Sequence, residues 1–344
     1  MLTVDVHNHF IPMDVVDGAR KGSAFDGLTV EMVDGQEWLV HRQGYRYPLH
    51  RGFYDVDERL RSMDAQGIDQ AVVSISPTLF MYWTEASAAA DFCQRTNDAL
   101  AAFAASSGGR LHSVATLPMQ DPDLAAAELR RAVVELGLRG AQIGPVVEQT
   151  WLDDTDMRKV LATAQELDVP LILHPYYVGP RPGLEDFYLT NLLGNPVEST
   201  ISAARLMLGG VLDELTELSL VLMHGGGFLP YQIGRLDHGY RVRPEAKGCQ
   251  QAPSSYLRRF FYDTVTHAAQ PLRFLAEMVG SRNVLFGTDY PYDMAAGPLV
   301  DQLRGVGLED ESVEDIAGRN TMRLFKVGVP DTSDRRLPVR SEDK

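Results

Sequence analysis

Short apolar runs alternate along the chain with longer stretches in which apolar residues recur at helical spacing. Eight runs read as strands: Leu2 to Val6, Gln70 to Ile75, Leu111 to Leu117, Ala141 to Ile143, Pro170 to Leu173, Ser219 to Met223, Phe260 to Tyr262 and Val284 to Phe286. The periodic stretches predict helices over Asp57 to Gln66, Glu85 to Ala105, Asp123 to Leu136, Asp153 to Leu167, Pro196 to Leu208, Leu229 to Tyr240, Pro271 to Met278 and Glu311 to Phe325. Several end at glycine stops such as Gly67, Gly137, Gly209 and Gly280, and Asp153 or Asp154 is a natural cap for the fourth. After the first strand, Leu28 to Val33 and Glu37 to Val40 flank Asp34-Gly35, the pattern of a hairpin around a tight turn. Eight strands alternating with helices predict an α/β fold, a (β/α)8 TIM barrel with a small β-hairpin insertion after strand one. One unit then spans 1–329, with the insertion at about 28–53, and the charged, Pro-containing 330–344 reads as a mobile tail.

The ends of the runs carry the chemistry. The first closes on His7-Asn8-His9, the fifth on His174-Pro175, the sixth on His224-Gly225-Gly226-Gly227 and the eighth on Gly287-Thr288-Asp289. Residues two apart on a strand point to the same side, so His7 and His9 can share one metal ion. Catalytic groups of a barrel sit at the C-terminal ends of its strands, and closure makes strands one and eight neighbours. Four strands that each stop at His or Asp therefore point to one site.

Composition narrows the partners. A net charge of −15 over 344 residues disfavours nucleic acid and anionic membranes. Cys93 and Cys249 are the two cysteines and form no CxxC, which speaks against a disulfide framework or thiolate metal site. No signal peptide and no bilayer-length apolar run is seen, so a soluble cytoplasmic protein is expected.

The motifs together resemble the amidohydrolase superfamily. Met63-Asp64-Ala65-Gln66-Gly67-Ile68-Asp69, His174-Pro175, His224-Gly225-Gly226-Gly227 with Gly234-Arg235-Leu236-Asp237, and Gly287-Thr288-Asp289-Tyr290-Pro291 are similar to its metal-dependent decarboxylase branch, of the aminocarboxymuconate semialdehyde type. The likeness runs from about residue 3 to about residue 326. It implies that His7, His9, His174 and Asp289 hold one divalent metal, zinc in the first instance with manganese as the alternative, and that no organic cofactor is needed. His224 is implied as general base and proton shuttle, with direct ligation as its other reading. Asp289 is a second candidate acid. Bridged two-metal members carry a lysine at the end of strand four, and no lysine stands near Gly140 to Ile143, which favours a single metal. His7 itself separates the chain from resorcylate-type members, which carry Glu there.

The resemblance also implies arginines that bind a substrate carboxylate, one of them supplied by a neighbouring subunit of a homodimer. Arg46, Arg235 and Arg243 are the candidates, Arg235 being the one placed across the interface. Tyr176 and His267 are further substrate-contact candidates, and Phe10, Phe80 and Trp83 are aromatic groups able to stack on a planar ligand. Asp293 reads as a cap or turn residue, and His41, His50, His112 and His238 as structural or exposed. The chain departs from the branch at Tyr176-Tyr177-Val178-Gly179, where Trp is usual, at His267, and between Gly35 and Phe53, all loops that would face a substrate. The implied activity is non-oxidative decarboxylation of an unsaturated or aromatic carboxylic acid. The alternative is a mononuclear metal-dependent hydrolase of a lactone or amide, for which the same ligand set would serve.

Overall fold

A computed structural model describes residues 1–176, 182–295 and 303–328. The expected tail falls outside the described residues, as does most of the Tyr176–Gly179 loop.

Eight short parallel strands form a closed barrel. In order they are Val4–Asp5, Gln70–Ile75, Leu111–Ser113, Ala141–Ile143, Leu171–Leu173, Leu220–Leu222, Phe260–Asp263 and Val284–Leu285. Consecutive strands pair in parallel from the first to the third and from the fourth to the eighth. Bridges at Ala115–Ala141 and Asn8–Tyr290 join the two arcs. Val6 N donates to Phe286 O at 2.9 Å and His9 N to Tyr290 O at 2.8 Å, which closes the ring between first and last strands.

The first strand is irregular. Val4 and Asp5 face Gln70 and Ala71, and the strand resumes as His9–Phe10 opposite Ser74 and Ile75. Val6, His7 and Asn8 thus stand opposite Val72 and Val73, one residue more on the first strand than on the second. That is a β-bulge, a device that re-aims side chains at a strand end.

Alternation along the strands sorts the core into two shells. Val4, Val72, Val114, Ile172, Val221 and Leu285 point inward and meet Phe325 and Val327. Their neighbours, such as Val73, Leu171, Leu173 and Leu222, point outward against the helices. Phe325, the last residue of the final helix, and Val327 just beyond it cover the N-terminal floor of the barrel.

The helices show where local chemistry moved a boundary. Val56–Gln66 is capped by Asp55, whose side chain accepts from Glu58 N, and ends at left-handed Gly67. Pro122–Val134 starts after Asp121, which accepts from Asp123 N and Leu124 N. The helix expected from Asp153 begins only at Arg158. Asp153 is instead gripped by Arg205 through 2.7 and 3.0 Å hydrogen bonds, and Asp154 closes a turn on Asp156 N. The expected hairpin is extended to a meander: Thr29–Val33, Gln36–Val40 and Arg46–Pro48 form an antiparallel sheet. Its third strand, short and Pro-ended, lacks an alternating apolar pattern. A helix over Met13–Arg20, following Pro12, was not anticipated. No described helix is long and apolar enough to cross a membrane.

Candidate metal centre

His7, His9, His174 and Asp289 converge at the C-terminal end of the barrel. One ligand atom from each lies within 4.8 Å of all the others, and all four residues are buried. His7 Nε2 is 3.1 Å from His174 Nε2 and 3.3 Å from Asp289 Oδ1, and His9 Nε2 is 3.0 Å from the same carboxylate oxygen. The three imidazoles meet edge to face, with centroids 5.0–5.1 Å apart.

The donor set fits a cation. His7 Nδ1 donates to Asp263 Oδ2 at 2.5 Å, and His174 Nδ1 to Pro175 O at 2.5 Å. With both Nδ1 hydrogens so committed, the two neutral rings turn lone pairs on Nε2 toward each other at 3.1 Å. Such a contact requires a proton or a metal between them. Without metal a proton takes that place: burial opposes the charge on His7, but Asp289 and Asp263 outweigh it and raise its pKa to about 10. Burial, then the charge on His7, holds His174 well below its ordinary value. Burial would raise Asp289, yet His7 and His9 hold its carboxyl well below the usual range. Three imidazoles and a carboxylate, one imidazole backed by a second carboxylate, form a donor set suited to a divalent ion.

Asp263 was not singled out from the sequence. The seventh strand ends on it, so the strand-end rule that found the other ligands also reaches it. Asp263 Oδ1 accepts from Gly225 N at 2.7 Å and Val265 N at 3.2 Å, which fixes the carboxylate beneath His7. Asp5 performs a related task across the barrel seam, accepting from His7 N, Thr288 N and Thr288 Oγ1 at 3.0, 3.1 and 2.8 Å.

His224 stands beside the cluster, its ring centroid 5.1 Å from those of His7 and His174. Its Nδ1 is buried with no hydrogen-bond partner among the described residues. Burial and the charge on His7 push its pKa down to about 4. His224, His267 and Asp289 all have positive φ, at 57°, 57° and 64°. A non-glycine residue there is uncommon, and His224 and Asp289 adopt it within a few residues of the ends of the sixth and eighth strands.

Two cavities of about 540 and 410 Å³ open here, and both are lined by His224, Asp289, Asn191, Asn195 and Met294. The larger adds apolar groups including Phe228, Pro271, Phe274 and Leu275, with exposed His267 at its edge. The smaller adds Tyr45, Tyr47, Thr78, His174, Tyr176, Tyr292 and Asp293. Its wall holds a hydroxyl network: Tyr47 Oη lies 2.8 Å from Thr78 Oγ1, which is 2.7 Å from Ser76 Oγ, itself 2.5 Å from Tyr292 Oη. Tyr176 is oriented by Glu148 N, which donates to its hydroxyl at 3.1 Å.

The arginines fall in three places. Arg46 lines the smaller cavity from the meander, 3.5 Å from Glu31 and over the Trp38 ring. Arg243 lies on the exterior, paired with Glu245 at 2.8 Å, and is not brought to either cavity. Arg235 is exposed on the Leu229–Val242 helix, also away from both cavities of its own chain. Phe10 and Phe80 are core residues, packed on Phe103 and Tyr82, and Trp83 donates to Asp26.

Comparison with known proteins agrees with this architecture. The chain is 27% identical over 338 residues to the 2-amino-3-carboxymuconate-6-semialdehyde decarboxylase of Dictyostelium discoideum, covering 94% of this chain and 91% of that one. It is 30% identical over 287 residues to a gamma-resorcylate decarboxylase of Polaromonas sp., covering 79% and 87%. A crystal structure of a dihydroxybenzoic acid decarboxylase from Polaromonas sp., with bound manganese and the inhibitor 2-nitroresorcinol, superposes with a TM-score of 0.75 at 24% identity, over 94% of this chain and 97% of that one. A family model described as amidohydrolase matches residues 4–327, and the chain belongs to that family.

Proposed function

We propose that this protein is a metal-dependent, non-oxidative decarboxylase of an unsaturated or aromatic carboxylic acid. One arrangement carries the reading: a four-donor cluster for a single divalent ion beside His224, whose Nδ1 no group among the described residues engages, at the junction of two cavities. The two relatives described above are decarboxylases, which favours this chemistry over hydrolysis.

Loss of CO2 from an sp² carbon leaves a poor vinyl or aryl anion, and protonating that carbon first avoids it. A neutral imidazole can accept a proton and hand it on to carbon, which is the role proposed for His224. Asp289 shares a carboxylate oxygen with the cluster and borders both cavities, and is the second acid. When bound, a divalent ion supplies Lewis acidity, polarising a substrate oxygen or acidifying a water. Zinc suits three imidazoles and a carboxylate, and manganese is the alternative. The aromatic walls of the smaller cavity suit a planar substrate, with Arg46, Tyr176 and His267 as contact residues.

The active unit is proposed to be a homodimer. On the Leu229–Val242 helix, Tyr231, Arg235, His238 and Val242 share one exposed face, with Tyr231 77% and Val242 55% accessible. Gly234 and Gly239 lie on the same side with open space before them. A second copy covering this face would carry its Arg235 toward the neighbour's cavity, where a guanidinium can hold a carboxylate despite the −15 net charge.

The test measures headspace CO2 and the ultraviolet spectrum of metal-loaded protein with ortho-hydroxy and ortho-amino aromatic acids and muconate semialdehydes. Lactones and amides run in parallel. Ring opening or amide cleavage without CO2 would replace this reading with the hydrolase one.

A further inference from the structure

Arg59 is the largest fully buried side chain of the protein, 1% exposed, and belongs to no ion pair among the described residues. Buried guanidinium groups ordinarily have a carboxylate partner. This one has neutral acceptors. Nη1 donates to Asn8 Oδ1 at 2.7 Å, and Nη2 donates to Gly52 O at 2.7 Å and to His9 O. Its cation lies over the rings of Tyr290 and Phe103, at 5.2 and 5.6 Å from their centroids. Burial pushes the group down to about 10, so it remains charged at neutral pH.

Two of these acceptors lie at the first-strand bulge: Asn8 is its last residue and separates His7 from His9. Its side chain occupies the gap in the ladder, with Nδ2 donating to Val72 O at 3.1 Å and Asp5 O at 3.3 Å. Arg59 holds the other end of that amide and the carbonyl of His9. Tyr290, stacked on the guanidinium, follows Asp289 directly. Gly52 leaves room for it, since a Cβ there would lie 2.1 Å from Tyr290 Oη. One side chain thus touches both strand ends that carry three of the four donors.

We propose that Arg59, through Asn8, is a positioning residue that locks the first-strand bulge so that His7 and His9 aim at the same point as Asp289. The inference rests on the reading of His7, His9, His174 and Asp289 as a metal site. A bulge departs from the regular ladder, and one rigid planar donor braces it at Asn8 Oδ1 and His9 O while its third bond, to Gly52 O, ties that brace to the turn outside. Lysine would keep the charge without the fork.

Chelator-stripped wild type, Arg59→Lys and Arg59→Met are titrated with zinc against a chromophoric chelator. The melting temperature of each stripped protein and the visible spectrum of its cobalt(II) form are recorded. Arg59→Met is expected to bind zinc about 10- to 100-fold more weakly, as outer-shell losses do, with an altered cobalt spectrum, and Arg59→Lys to fall between. A purely structural role would lower the melting temperature while leaving the cobalt spectrum and the zinc affinity of the folded protein intact, and that result overturns the proposal. If Arg59→Met does not fold, Asn8→Ala cuts the same link and is expected to weaken zinc in the same direction, whereas wild-type affinity there overturns it. Failure of wild type to bind stoichiometric zinc or cobalt sinks the metal site and this inference together. Normal wild-type binding with unchanged variants sinks this inference alone.

Discussion

Asp263→Asn is nearly isosteric, yet it is expected to disable the metal site. Asp263 Oδ1 accepts from two backbone donors, Gly225 N and Val265 N, whose directions are fixed. The oxygen of the new amide must stay there, which turns its NH2 toward His7 Nδ1 at the 2.5 Å position now held by Oδ2. Two donors cannot face each other, so His7 must move its proton to Nε2, the atom that points at the other ligands. Binding a metal then requires restoring the old tautomer against a buried donor clash. An unsatisfied buried donor costs about 1–3 kcal/mol, and lost outer-shell partners typically weaken metal binding by about 10- to 100-fold. A loss of about 10²-fold in zinc affinity, about 2.7 kcal/mol, is the expected size. Competition against a chromophoric chelator measures it, with Asp263→Ala as the control. The alanine variant removes the hydrogen bond but leaves the tautomer free, so the asparagine variant should bind zinc no better despite its closer shape. Wild-type zinc affinity in Asp263→Asn would refute the tautomer argument.

His224→Asn is expected to retain metal while turnover falls by about 10² or more; loss of metal instead, by elemental analysis, would make His224 a ligand. Mixing Arg235→Ala chains with His224→Asn chains should restore activity through sites that hold both residues intact, and continued inactivity after demonstrated subunit exchange would remove Arg235 from the partner's site. His41 is buried, with neither ring nitrogen hydrogen-bonded among the described residues, and burial lowers its pKa to about 3. The unfolded chain therefore binds a proton below about pH 6.5 that the folded chain refuses until about pH 3, and folding stability drops by about 1.4 kcal/mol per pH unit across that window. His41→Phe should flatten the slope of urea-unfolding free energy between pH 6 and 4, and an unchanged slope would count against the assignment. Gly227→Ala should destabilise by about 3 kcal/mol or more in denaturant titration, because φ is 63° and the added carbon would lie 2.1 Å from Pro196 O; a wild-type midpoint would contradict the close approach.

The barrel was legible because strand ends and glycine stops are local signals. The convergence of His7, His9, His174 and Asp289 followed from the rule that barrel chemistry gathers at one end. Other features depend on partners distant in sequence. The bulge is invisible in Val6-His7-Asn8, since it is defined by what faces it on the second strand. The late start at Arg158 reflects Arg205, and nothing local marks Arg59, one of several charges on its helix, for burial under Tyr290. Asp263 directly follows the seventh run, Phe260 to Tyr262, so the strand-end rule reaches it although that run ends on no histidine. Arg243 shows the converse: proximity to a motif in sequence does not bring it to either cavity of its own chain, because it caps the C-terminal end of the Leu229–Val242 helix on the exterior.

The seam between first and last strands gives metal loading a meaning beyond catalysis. His9 and Asp289 touch across a sequence separation of 280 residues. During synthesis His7 and His9 emerge first and wait for nearly the whole chain before their carboxylate exists. An incomplete barrel offers two or three imidazoles and no Asp289. A divalent ion held by all four donors would therefore bind the closed ring more tightly than an incomplete one.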